Sequence, residues 1–162
     1  MSGPSGRAAL VASAGDVMRE FTAHAVLLQD TVARAVGLAP TDLQGANLLL
    51  LYGPMTPGEL ASLLGVTVGG AVTGVVDRLE RAGLARRSRE PTDRRRVVVT
   101  ADADGLWRRV GPSYGRVAHR WNAVLDSLTD EQLEFADALL RRASELTAEE
   151  IRRLRGTDGS VR

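Results

Sequence analysis

Apolar residues recur along most of this chain at steps of three and four, which is the spacing of one face of an α-helix. The pattern predicts helices over residues 8–36, 43–51, 102–128 and 130–155. An interruption of the third helix is expected at Gly111-Pro112, because proline lacks the amide N–H that a helix interior uses. Most of the chain is therefore expected to be helical.

The ends of these helices carry typical start and stop signals. Gly37 is expected to end the first helix, and Thr41 or Asp42 to act as the N-cap of the second. Thr129, with Gln132 three positions later, is the expected cap of the last helix. Each signal supports the boundary that the apolar spacing predicts.

The middle of the chain holds two short helices separated by a tight turn. Thr56, followed by Pro57 and Glu59, forms the pattern of a capping box with proline at the first helical position, and predicts a helix over 57–64. Thr67 is expected to cap a second helix over 69–81, whose apolar residues share one face. Two helices joined by a short turn that contains glycine are typical of a helix-turn-helix.

After Gly83, which is expected to close the second of these helices, the apolar period changes from about 3.6 to about 2 and indicates strands. Runs at 84–88 and 95–100 flank a segment rich in turn-forming residues, which predicts a β-hairpin. The expected fold is mainly α with a small β wing (α+β). A winged helix-turn-helix over 41–100 lies between an N-terminal helix and tail over 1–36 and C-terminal helices over 101–156.

Three stretches resemble the MarR family of bacterial transcriptional regulators: residues 60–67 (LASLLGVT), 71–84 (AVTGVVDRLERAGL) and 93–100 (DRRRVVVT). The order of the elements extends the resemblance over nearly the whole chain. It implies a homodimer built by the terminal helices and bound to double-stranded DNA at a pseudo-palindromic promoter site. It further implies a repressor that a small aromatic or lipophilic ligand releases, with ligand-binding residues that the sequence leaves unknown.

Two positions depart from the family pattern. Four residues separate Thr67 from Val72 where three are expected, so the extra glycine at Gly69-Gly70 either lengthens the turn or delays the second helix by one residue. Gly74 stands where many relatives carry arginine, so a contact from that position is absent. We therefore expect the wing arginines to carry more of the DNA binding.

The net charge is only +1, but the arginines are unevenly distributed. Residues 67–100 contain eight arginines and four acidic residues, whereas residues 129–155 contain five arginines and seven acidic residues. A local positive patch in a nearly neutral chain is typical of a protein with one DNA-facing surface.

The candidate DNA contacts fall into two groups. Those on the second short helix and the turn before it are Thr67, Gly69, Gly70, Thr73, Gly74 and Arg78, where small residues allow close approach and Thr73 can contact a base. Those in the hairpin are Arg86, Arg89, Arg94, Arg95 and Arg96, with Arg87 as a further candidate for a phosphate. Asp93 is expected to stabilise the wing by holding Arg95, a role that the family resemblance also implies.

Structural roles compete with some of these contacts. For Asp77 and Arg78, a salt bridge to a neighbouring helix or to the wing is at least as strong an interpretation as base contact. Glu59 is expected to act only as the capping partner of Thr56. Trp107 and Trp121 are expected to pack in a core or at a dimer contact, with a pocket wall as the alternative.

No pattern typical of an enzyme, a cofactor site or a metal site is found. The chain has no cysteine, and His24 and His119 fall in separate helices without a nearby pair of carboxylates. Gly69-Gly70 lacks the Gly-Lys-Ser/Thr of a phosphate-binding loop. With neither a signal peptide nor a long apolar run, the expected compartment is the bacterial cytoplasm, without a membrane partner.

Other functions stay open beside that of a ligand-responsive repressor. One is a winged-helix module that binds a protein, or a regulator without ligand response. Another is a protein that binds a small molecule and no DNA. The basic wing argues against a function without DNA, because so many arginines in one short stretch suit an anionic partner.

Overall fold

The computed structural model describes residues 6–90, 93 and 95–158. Arg94 and residues 1–5 of the predicted N-terminal tail lie outside the described residues. The elements are α1 (Gly6–Ala35), α2 (Pro40–Tyr52), α3 (Pro57–Leu64), α4 (Gly70–Arg81), β1 (Ala85–Arg89), β2 (Val97–Ala101), α5 (Ala103–Leu125) and α6 (Asp130–Asp158). The predicted fold class, mainly α with a small β wing, is confirmed.

The chain forms two compact units, Met1–Gly115 and Arg116–Arg162. In the first unit, α2 lies at the centre, because it packs against α1, α3, α4 and β2. The largest fully buried apolar side chains of this unit come from α2, α3, α4, β2 and the turn before β1: Leu43, Leu49, Leu60, Val72, Val76, Leu79, Leu84 and Val99. The winged helix-turn-helix is therefore built around α2.

The start of α3 is as predicted. The Thr56 hydroxyl accepts a hydrogen bond from the Glu59 amide at 3.2 Å, and a Glu59 carboxylate oxygen accepts one from the Thr56 amide at 2.6 Å. This reciprocal pair is a capping box, which satisfies amides that the first turn of a helix leaves unpaired. The helix begins at Pro57, in the first helical position, where proline loses no hydrogen bond.

The turn between α3 and α4 differs from the prediction. Thr67 does not cap α4; the N-cap residue is Gly69, which provides no side-chain hydrogen bond. Gly69 adopts φ +123° and ψ −130°, a conformation that residues with a side chain rarely reach. The extra glycine therefore lengthens the turn, and the helix starts at Gly70.

The cap predicted for α2 is also wrong. Neither Thr41 nor Asp42 caps this helix: the N-cap residue is Ala39, which makes no side-chain hydrogen bond to it. Asp42 is buried instead, only 1% exposed, and accepts two hydrogen bonds from Arg78. Because an unpaired buried carboxylate is strongly unfavourable, the guanidinium of Arg78 decides where this side chain lies.

The predicted interruption of α5 is wrong as well. The helix runs from Ala103 to Leu125 with Pro112 inside it. Pro112 cannot donate to the carbonyl four residues earlier, so one helical hydrogen bond is missing. The side chains of Leu106 and Val110 are buried in the core before this point and hold the helix in place across the missing bond.

The wing is an antiparallel hairpin in which Arg87 of β1 is paired with Val99 of β2. The second strand begins at Val97, later than predicted, because Arg96 still belongs to the turn and donates its amide to the Asp93 carbonyl at 2.9 Å. Val99 also exchanges two backbone hydrogen bonds with Met55, in the segment before α3. The base of the wing is thereby joined to the helix-turn-helix.

Both terminal helices expose apolar side chains in the single chain. On α1 these include Leu10 and Val17, and on α6 they include Phe135 and Leu139. The predicted cap of α6 is confirmed: Thr129 and Gln132 exchange hydrogen bonds between side chain and amide. Among the described residues, no helix is both long enough and apolar enough to span a bilayer.

Candidate nucleic-acid interface

The turn and the first residues of α4 form one exposed surface. Thr67, Gly69, Gly70 and Thr73 are exposed, and Gly74 is half-buried. Because Gly69 offers no side-chain cap, the first amides of α4 are not satisfied by a capping side chain. Such amides, together with the helix dipole, favour an anion at this end of the helix.

Arg78, in the second half of α4, is held by an acidic residue of α2. Its Nε and Nη2 atoms each donate to an oxygen of Asp42 at 2.8 Å, although the two residues are 36 positions apart. These hydrogen bonds raise the pKa of Arg78 above its ordinary value. The side chain of Arg78 nevertheless stays 44% exposed, so only one edge of its guanidinium is used inside the protein.

Arg87, on β1, joins the wing to α4. Its guanidinium forms ion pairs with Asp77, at 2.7 Å, and with Glu80, which also accepts the Arg87 amide. The pair with Asp77 is the salt bridge to the wing that the sequence offered as an alternative to base contact. Arg87 is therefore engaged inside the domain, whereas its strand neighbour Arg86 is exposed.

Arg96 joins the wing to the start of α3. Its guanidinium donates to Glu59 at 3.0 Å and lies 3.4 Å from a carboxylate oxygen of Glu90. Glu59 is thus more than the capping partner of Thr56, and the expectation that it acts only in the cap is wrong. The Thr56 amide, then the Thr56 hydroxyl and finally Arg96 lower the pKa of Glu59 below its ordinary value.

The tip of the wing is organised by Asp93. Its carboxylate accepts a hydrogen bond from the amide of Arg95 at 2.9 Å, so it holds the backbone of Arg95 and not its guanidinium. The side chains of Arg95 and Arg89 are exposed, while the predicted contact by Arg94 falls outside the described residues. The hydrogen bond from the Arg95 amide fixes the backbone at the tip of the wing.

An open, mostly apolar cavity of about 450 Å³ lies between α2 and α5. Asn47 and Leu50 line it from α2, and Trp107, Val110 and Tyr114 from α5. Burial raises the pKa of Tyr114, and a hydrogen bond with the side chain of Asn47 lowers it by less. Trp107 is 73% exposed and forms a wall of this cavity, which is the alternative to packing that the sequence left open.

Sequence reasoning did not identify this cavity or the role of Asp42. A signal existed for Asp42, since an acidic residue in a strongly apolar helix needs a cation inside the fold. No comparable signal marks the cavity, because its two walls are 50 or more residues apart in the chain.

Comparison with known proteins identifies the family. Residues 47–97 match the model of the MarR family. The chain is 34% identical to the HTH-type transcriptional regulator YcgE of Bacillus subtilis (strain 168) over 155 residues. The alignment covers 96% of this chain and 99% of that protein. The chain belongs to the MarR family. It is therefore a transcriptional regulator with a DNA-binding winged helix-turn-helix, as the three sequence stretches predicted.

Solved structures show how far the MarR fold extends along the chain. The transcriptional regulator Tm0710 from Thermotoga maritima is 26% identical and superposes with a TM-score of 0.58, covering 86% of this chain and 95% of that one. A MepR variant from S. aureus, solved bound to an oligodeoxyribonucleotide, has the same fold at 19% identity. Its TM-score is 0.53, over 82% of this chain and 96% of that one. The shared fold thus includes long helices outside the winged helix-turn-helix.

Proposed function

We propose that this MarR-family protein is a homodimeric repressor that binds a pseudo-palindromic promoter site in the bacterial cytoplasm. We further propose that a small aromatic or lipophilic molecule releases it from that site. The observation that carries the DNA-binding role is the division of the arginines of the winged helix-turn-helix. Arg78, Arg87 and Arg96 bind acidic partners inside the domain, while Arg86 and Arg95 extend into solvent.

This division assigns the two parts of the interface different tasks. The exposed start of α4, with Gly69, Gly70 and Thr73, enters the major groove, where small residues allow the backbone to approach DNA closely. Arg86 of β1 binds a phosphate, and Arg95 at the wing tip reaches the minor groove. The MepR variant shares this fold and was solved bound to an oligodeoxyribonucleotide, which supports DNA as the partner of the domain.

A second copy of the chain is the proposed partner of the terminal helices. Leu10 and Val17 fall on one face of α1, and Phe135, Leu139 and Leu146 on one face of α6. Exposed stripes of this kind on long helices are unfavourable in water and are covered when helices of two chains pack together. A twofold dimer also presents two copies of α4, which suits a pseudo-palindromic site.

The cavity between α2 and α5 is the proposed site of the releasing ligand. Its volume of about 450 Å³ suits a small molecule, and apolar side chains make up most of its lining. Asn47 and Tyr114 supply polar groups that can orient a ligand with a hydroxyl or carbonyl group. Trp107 provides a flat apolar wall against which an aromatic ring can pack.

A DNA titration tests the proposal. The full-length protein is titrated into the duplex upstream of its own gene and into a shuffled duplex of equal length, at several salt concentrations. We expect a clear preference for the first duplex and a steep loss of affinity with salt, because several phosphates are neutralised. Equal binding to both duplexes would contradict the proposal that the protein represses from a specific promoter site.

A second titration tests release. Lipophilic aromatic compounds are added to the protein–DNA complex while tryptophan fluorescence is followed, and Trp107→Phe, which keeps Trp121, separates the signal of Trp107 from that of Trp121. A compound that binds the cavity should change this fluorescence and dissociate the DNA over the same concentration range. If a compound dissociates the DNA from the wild-type protein but causes no fluorescence change that depends on Trp107, the ligand binds elsewhere.

A further inference from the structure

Gly74 leaves a gap on the outer face of α4 that the side chain of Arg78 occupies. The two residues are four positions apart, so they lie one above the other on the helix, and the longer side chain leans toward the N-terminus. A Cβ atom added at Gly74 would lie 3.2 Å from Nη1 of Arg78, which is tighter than ordinary contact. Any side chain at position 74 therefore requires this end of the guanidinium to shift by a few tenths of an ångström.

The other edge of the same guanidinium is fixed. Nε and Nη2 are bound to the two oxygens of Asp42 at 2.8 Å each, and the carboxylate is only 2% exposed. A planar guanidinium held at two points cannot rotate, so the position of Nη1 is set by Asp42. Within the described part of the chain, Nη1 itself has no hydrogen-bond acceptor.

We propose that Asp42 is a positioning residue for DNA binding, which holds Nη1 of Arg78 over Gly74 as a prearranged donor for a DNA phosphate. This inference rests on the proposed function, since it assigns a contact within the same interface. It explains why a charged pair with one buried member leaves nearly half of the arginine exposed. In this role, Asp42 of α2 sets the orientation of the Arg78 guanidinium on α4.

The pair also has a simpler interpretation, in which it only holds α2 and α4 together. The two interpretations differ in what Gly74→Ala and Asp42→Asn do together. Alanine favours a helix more than glycine does, so a purely structural pair predicts equal or higher stability for Gly74→Ala, with DNA binding weakened only by the loss of close approach at position 74, and it predicts no loss of DNA binding for folded Asp42→Asn. The positioning role predicts equal or higher stability together with weaker DNA binding, because the added methyl group displaces Nη1.

The experiment measures binding to a duplex that the wild-type protein selects from a random-sequence pool, together with thermal unfolding of each variant. For Gly74→Ala we expect weaker binding, by at most about tenfold, which is the scale of losing one charged hydrogen bond, and a melting temperature that is not lowered. Gly115→Ala in α5 is the matched control, because its added Cβ meets no atom within 4 Å. We expect it to leave DNA binding unchanged.

Asp42→Asn separates positioning from net charge. Removing a negative charge from the DNA-binding unit would by itself tighten binding to DNA. The positioning role predicts the opposite, weaker binding by the folded protein, because the amide no longer holds both donors of Arg78. Arg78→Gln should lower the salt dependence of log K by about one phosphate contact.

These results have distinct meanings. Wild-type affinity in Gly74→Ala, or an unchanged salt dependence in Arg78→Gln, overturns the positioning role while the DNA-binding repressor stands. A wild-type protein that selects no duplex from the pool overturns the repressor and this inference with it. Weaker binding in both Gly74→Ala and Asp42→Asn, with the Gly115→Ala control unaffected, supports the inference.

Discussion

Glu59 accepts a hydrogen bond from the Arg96 guanidinium at 3.0 Å while its carboxylate also closes the cap of α3. One side chain thus serves both the start of a helix and the attachment of the wing. The wing is joined to the helix-turn-helix at a second point by the backbone pairing of Met55 with Val99. These two links make the wing an extension of the domain.

The first prediction concerns the pH dependence of stability. The pKa of Glu59 lies below its ordinary value of 4.5, so its charge stabilises the fold above about pH 4.5 and this contribution is lost as the pH falls through the lowered pKa. Glu59→Gln should lower the free energy of unfolding near neutral pH by about 0.5 kcal/mol, the scale of an exposed charged pair. Urea unfolding at pH 7 and at acidic pH measures both effects.

Glu90→Gln is the control for that experiment, because Glu90 contacts Arg96 at the longer distance of 3.4 Å and takes no part in a cap. In Glu90→Gln, the free energy of unfolding should depend on acidic pH more strongly than it does in Glu59→Gln. An unfolding free energy that depends on pH equally in wild type and Glu59→Gln would show that the lowered pKa of Glu59 does not contribute.

The second prediction compares two adjacent arginines of β1. Arg87→Ala should cost about 1 kcal/mol of stability, because Asp77 and Glu80 lose their shared partner, and should change DNA binding little. Arg86→Ala should do the reverse, weakening DNA binding with little change in melting temperature. Thermal unfolding and DNA titration of both variants provide the comparison. Equal stability losses in both would contradict the assignment.

The third prediction compares the two glycines before α4. Gly69→Ala should destabilise the fold by about 1 kcal/mol or more, because φ +123° is strained for any residue with a side chain. Gly70→Ala should not destabilise it, since the added Cβ meets no atom within 4 Å and alanine favours the helix. Melting temperatures test this, and a similar shift in both variants would mean that the turn adapts.

The fourth prediction concerns the apolar face of α6. Leu139→Arg should convert the protein to monomers, because a charge on this face cannot be buried between two chains without a partner. Glu134→Arg is the control, since this exposed residue lies on another side of the same helix. Sedimentation velocity distinguishes the species. A dimer that survives Leu139→Arg would place the contact on another surface.

Local patterns were enough to predict most of the elements of this fold. The capping box of Thr56 and Glu59 and the apolar face of α4 depend on residues close together in the chain, and both were predicted correctly. The errors come from contacts at long range. Asp42 looked like a helix cap because its partner, Arg78, lies 36 residues away. Pro112 looked like a helix break because the packing that holds α5 together is tertiary.

The interface was predictable in kind and less so in detail. Composition identified an arginine-rich wing, but it could not separate arginines that bind acids within the domain from those that reach solvent. Arg86 and Arg87 are neighbours with the same charge, and strand alternation alone gives them opposite environments. Which of the two arginines is engaged inside the domain depends on which face of the hairpin packs against α4.

One wall of the cavity and the anchor of Arg78 belong to the same helix, α2. Asn47 and Leu50 line the cavity from α2, and Asp42 holds Arg78 from the same helix, five residues earlier than Asn47. A ligand that shifts α2 therefore affects DNA binding as well as its own binding. Thermodynamic linkage makes this effect reciprocal. The factor by which the ligand weakens DNA binding must equal the factor by which DNA weakens ligand binding.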